Sequence, residues 1–123
     1  MTRTRTFVLA EAASFATAAL VHFGVLFHGY EHGKAGTAES VIAAVLVAGL
    51  AVTWIRPAST RAVGLAVQAF ALLGTFVGLF TIAVGVGPRT APDLAYHAGI
   101  VAVLVWGIVS AARSAPDGRP LLS

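Results

Sequence analysis

The sequence has no cysteine, which excludes disulfides, iron–sulfur clusters and thiolate metal sites. Charge is scarce too. Charged residues make up 11% of the 123 positions, whereas a soluble domain carries about a quarter. Most of the surface therefore faces something other than water. Alternation of polar and apolar residues is also missing, and with it the pattern of barrel strands. What remains is apolar: 58% hydrophobic residues and a mean hydropathy of +0.87.

The net charge of +3 does not point to nucleic acid, because the basic residues stand singly or in pairs between long apolar runs rather than in a patch. Seven arginines against one lysine, with abundant Ala, Val and Gly, fit a GC-rich bacterial source.

A helix needs about 20 mostly apolar residues to cross a bilayer. Four segments meet this, at about 6–30, 38–55, 62–87 and 92–112. Short polar breaks separate them, with Pro57, Pro88 and Pro92 as punctuation. Short connections make consecutive helices antiparallel neighbours. The fold class is all-α, an integral membrane up-down four-helix bundle, with residues 1–113 as a single transmembrane domain and 114–123 as a disordered cytoplasmic tail. Arg3, Arg5, Arg56, Arg61, Arg113 and Arg119 fall on one side and Lys34 and Arg89 on the other. By the positive-inside rule both termini are cytoplasmic (N-in/C-in), in a bacterial inner membrane. Glu11 interrupts the apolar run that a cleaved signal peptide would need.

The polar residues sort by depth. His22 lies roughly 10 Å inside the outer end of the first span and His97 roughly 7 Å inside the fourth. Facing imidazoles on neighbouring helices are a way to hold haem b or a His-ligated metal, with Asp93, four residues before His97, fixing its tautomer. His28 and His32, at i and i+4 with Glu31 beside them, form a second metal-ligand candidate. Each group also has a plain structural reading: histidines suit helix C-termini, Asp93 suits a helix first turn, and Arg89 pairs with Asp93. His28-Gly29-Tyr30-Glu31-His32 matches the H-x-x-E-H string of inverzincin peptidases, but the chain has no room for their large soluble domain.

Glu11 lies in the inner half, on the same helix face as His22, with Gln68 at a similar depth on the third helix. Two roles follow: a proton path toward His22 through Ser14, Thr17 or water, or a protonated carboxyl bonded to Gln68 or to a neighbouring subunit that keeps helices in register. Gly74 and Gly78 form a GxxxG match that predicts close helix packing. Trp54 suits the inner interface, and Trp106 is expected inside the bundle.

The stretch from Gly85 to Asp93 with Tyr96-His97, together with the early His-rich turn, resembles small uncharacterised four-helix integral membrane proteins of bacteria. That resemblance implies the architecture and transfers no activity or functional residue. No catalytic set is readable. Three classes of function compete: a non-catalytic membrane component or accessory subunit, contacting lipid and other membrane subunits or its own copies; a haem- or metal-binding redox protein using His22 and His97; and a small oligomeric transporter or channel.

Overall fold

The computed structural model describes residues 1–117. Within them the chain forms four α-helices, α1 Arg3–His22, α2 Gly33–Ile55, α3 Thr60–Ala83 and α4 Ala91–Ala112, with a 3₁₀ turn at Pro57–Ser59 and no strand. The helices pack in a ring, α1–α2–α3–α4 and back to α1, and α1 also touches α3 across the middle. Three of them, α2, the α3 segment with its leading turn, and α4, are long and apolar enough to cross a membrane. The first helix is more polar, since it carries Arg3, Arg5 and Glu11.

The packing is that of a bundle whose outside is apolar. Val47, Leu73, Phe76, Phe80 and Val105 are exposed. Glu11, Gln68, Thr53, Thr75, His22, Glu39, Asp93 and His97 are buried. A helix that is apolar all round is one that meets lipid or another protein. Between the polar ends lies a core of Val8, Ala12, Phe15, Ile42, Leu46, Ala71, Ile100 and Leu104. Trp106 was expected inside but is 60% exposed, its ring edge-on to Phe7.

Two helix ends come earlier than hydropathy alone places them. α1 stops at His22 rather than running to Tyr30, and α3 stops at Ala83 rather than Gly87. Both close with the same capping geometry. Gly24 (φ 74°) donates to the Val21 carbonyl and Val25 to that of Leu20, while Gly85 (φ 86°) donates to Ile82 and Val86 to Thr81. Glycine takes this left-handed position without a Cβ penalty, and the two reversed hydrogen bonds satisfy the last carbonyls. The apolar run Phe23–Phe27 mimics a continuing span, but it is an exposed turn.

At the opposite end, Arg5 donates to the Thr53 hydroxyl at 3.1 Å and to its carbonyl, and its guanidinium lies 4.2 Å over the Trp54 ring. The segment after α4 is engaged as well. Asp117 accepts from the backbone N–H groups of Arg61 (3.0 Å) and Ala62 (2.7 Å), capping the start of α3. The expectation of disorder from Ser114 thus meets a hydrogen-bonded Asp117, and 118–123, including Arg119, lie outside the described residues.

Candidate functional site

The α1 C-terminus, the α2 N-terminal half and the α4 N-terminus converge at one end of the bundle. Because α1 ends at His22, this histidine sits at the helix end and not two turns within it. Its Nδ1 is 2.7 Å from Glu39 Oε2 and its Nε2 is 3.0 Å from Asp93 Oδ1, and all three side chains are buried. Ionised carboxylates only accept, so meeting both takes a proton on each ring nitrogen. With both carboxyls ionised this is a carboxylate–imidazolium–carboxylate triad, and in any protonation state the three side chains tie α1, α2 and α4 together.

Asp93 is held by a second set of bonds. Its Oδ2 accepts from Thr90 N at 3.1 Å and from the Thr90 hydroxyl, while Thr90 Oγ1 accepts from Asp93 N, which makes a reciprocal cap at the start of α4. The expected tautomer-fixing bond from the Asp93 carboxylate to His97 is not made. His97 Nδ1 donates instead to the Asp93 backbone carbonyl at 2.7 Å, one turn back. That bond places the proton on Nδ1 and leaves Nε2 facing Gly78 of α3, where a Cβ would lie 3.4 Å from it. Arg89 does not pair with Asp93 either; it donates to the carbonyls of Ile82 (2.8 Å) and Ala83 (3.2 Å) at the end of α3.

His28, Glu31 and His32 do not converge. His28 is exposed and its Nδ1 lies 3.1 Å from Glu31 Oε1. The Glu31 carboxyl is held below its ordinary range by backbone N–H groups, its own first and then that of Gly29, and by the His28 ring. His32 turns the other way: its Nδ1 accepts from Ala35 N at 3.2 Å, capping α2, and its Nε2 donates to the Val86 carbonyl at 3.1 Å. Both ring nitrogens are thereby occupied, and His32 is the extended N-cap before α2, so His28 and His32 do not share a helix at i, i+4. Among the described residues, no group of three or more His, Asp or Glu is arranged to hold a metal ion.

Two cavities flank the triad. One of about 550 Å³ lies between α1 and α4, walled by Ser14, Thr17, His22, Tyr30, Asp93 and Tyr96. The other, about 160 Å³, lies among α2, α3 and α4 beside His32, Glu39, Thr75, Gly78, Tyr96 and His97. Tyr96 borders both; its ring is edge-on to Phe15 and His97, and its buried hydroxyl has no partner. Gly74 and Gly78 pack within the chain: a Cβ on Gly74 would come within 2.8 Å of Ile42 on α2.

Toward the opposite end of the bundle, Glu11 and Gln68 are both fully buried. Ser14, half-buried, and Thr17, exposed, the stations expected between Glu11 and His22, donate back to Ala10 and Ala13 at 2.8 Å. Ala12, Phe15 and Ala19 occupy the buried face in between.

Sequence reasoning missed Glu39 and Tyr96 as members of this site. Glu39 did carry a signal, since an acid within an apolar span calls for a partner. Which histidine it meets depends on how α1 and α2 pack. No protein-family model matches the chain, and no curated protein or solved structure is significantly similar to it.

Proposed function

We propose that this chain is a multi-pass protein of the bacterial inner membrane, with both termini cytoplasmic, that serves as a non-catalytic component or accessory subunit of a membrane assembly. The observation that carries this reading is the closure of the triad. Both nitrogens of His22 and both oxygens of Asp93 are engaged by the chain's own groups. A set so engaged joins helices and leaves neither ring nitrogen of His22 free for a ligand.

The geometry also separates what a haem pocket must combine. The larger cavity, within the roughly 300–1,000 Å³ of small-molecule sites, meets a histidine whose nitrogens face carboxylates. The histidine with a free Nε2, His97, borders a cavity of only about 160 Å³. The residues therefore do not fit a haem at His22 and His97. A conduction role has no support either, because Phe15, Leu46 and Leu104 fill the core between the two ends. The exposed apolar faces of α2, α3 and α4 are suited to lipid and to neighbouring subunits.

The test is purification from native membranes in a mild detergent, with native mass spectrometry and an absorption spectrum. A colourless particle of defined stoichiometry, larger than the single 12.6 kDa chain, is expected. A lone chain as the sole species overturns the subunit reading. A Soret band lost in His97→Ala overturns the misfit to haem.

A further inference from the structure

A second polar centre lies at the inner end of the core, away from the triad. Both carboxyl oxygens of Glu11 and the Oε1 of Gln68 are buried without a hydrogen-bond partner. Gln68 Nε2 is already committed, donating to the Gly64 carbonyl at 3.0 Å. The two side chains, from α1 and α3, meet over a bare stretch of α4. A Cβ on Gly107 would lie 2.0 Å from Gln68 Oε1 and 2.7 Å from Glu11 Oε1. Oxygens from two helices thus crowd one point, and every one of them is an acceptor if Glu11 is ionised.

Such an arrangement is short of one donor. An anion here would face another acceptor in an apolar interior, where an unpaired charge is most costly. No cation offsets it. Arg5, the basic residue of α1 nearest in sequence, is committed to Thr53 and Trp54 at the helix end. Among the described residues, the ion pairs are confined to the His22 and His28 clusters. Neither cavity beside the triad is lined by Glu11 or Gln68, and a Cβ on Gly107 would also meet Phe7 at 3.1 Å, so α4 and Phe7 crowd the same point. The space suits a proton and not a hydrated metal ion.

We propose that Glu11 is a resident proton-binding site, a neutral carboxylic acid whose hydroxyl donates to Gln68 Oε1 and clasps α1 to α3 over Gly107. The chemistry is the uptake of one solvent proton by one carboxylate, with no other bond made or broken. The proton is resident and not in transit, because the Ser14 and Thr17 hydroxyls are committed to the Ala10 and Ala13 carbonyls. The cavity they share with His22 is not lined by Glu11, and Phe15 fills the buried face between Glu11 and His22. Gly107 is what allows the clasp, since any side chain there would displace the amide oxygen.

Infrared spectroscopy of the full chain in lipid vesicles tests this directly. At neutral pH a carbonyl stretch of a protonated carboxyl is expected, shifted by ¹³C-glutamate labelling, retained in Glu39→Gln and lost in Glu11→Gln. Glutamine keeps a neutral donor at the site, so Glu11→Gln should hold the wild-type unfolding midpoint while Glu11→Ala lowers it. Absence of the band from labelled wild-type protein at neutral pH overturns the proposal without need of any variant. Retention of the band in Glu11→Gln overturns it equally. Neither result bears on the subunit reading, which rests on particle composition.

Discussion

His22 is the residue on which one end of the bundle turns, where α1 finishes and α4 begins. It is 4% exposed, and its two partners come from two other helices. Removing one member of a buried ionic set leaves the rest uncompensated, a loss of about 3–5 kcal/mol. His22→Ala, which strands two carboxylates near each other, is expected to lose stability in that range when unfolding is followed in detergent micelles. Glu39→Gln should lose less, because an amide oxygen still accepts from Nδ1 and the Asp93 pair persists. A His22→Ala loss of under about 1 kcal/mol, the range of exposed pairs, would mean the triad is solvated. The sequence singled out His22 and Asp93 because ionisable groups in apolar spans stand out one at a time. It paired Asp93 with His97 because i, i+4 spacing is visible along a chain. Contacts between helices are not, so Glu39 went unassigned.

Helix centres were legible and helix ends were not. The runs that make α2 and α4 are read from hydropathy, whereas α1 and α3 end two residues before glycines that stand in the middle of apolar runs. A window of hydropathy averages over one glycine, but the backbone does not. Gly24 has φ 74°, and a Cβ there would also lie 3.1 Å from Glu31 Cγ. Gly24→Ala is expected to lower stability by about 1–2 kcal/mol, the cost of a left-handed alanine. Gly99 lies within α4 with nothing within 4 Å of its Cβ position. Gly99→Ala should therefore stabilise by about 0.5–1 kcal/mol through helix propensity. Thermal unfolding of the two variants side by side checks the sign of each. Equal effects would mean that Gly24 does not terminate α1 in the way described. Cap geometry of this kind also explains why the H-x-x-E-H string is no metal site: its second histidine starts a helix instead of continuing one.

For the whole molecule the open question is whether α1 crosses the membrane with the other three. Three helices are apolar enough by themselves, and three crossings would put the termini on opposite faces. The packing argues for four. α1 has 8 of its 20 residues buried, among them the polar Thr4, Arg5, Glu11 and His22. Glu11 is wholly buried, and Arg5 is 8% exposed against Thr53. Its 20 residues span about 30 Å at the helical rise, the thickness of the hydrocarbon core. A helix whose charges are covered by its partners need not be apolar in its own right. The basic residues agree: Arg3, Arg5, Arg56, Arg61 and Arg113 gather at the end where α1 begins and α4 finishes, and Lys34 and Arg89 lie at the other. Reporter fusions at each terminus separate the two cases. A fluorescent protein should fluoresce, and a periplasm-dependent phosphatase should stay inactive, at both the N- and the C-terminus. The same phosphatase inserted between Gly24 and Tyr30 should be active. Phosphatase activity at one terminus alone would mean three crossings, with α1 held against the membrane surface, and the burial of Glu11 would then need a different explanation.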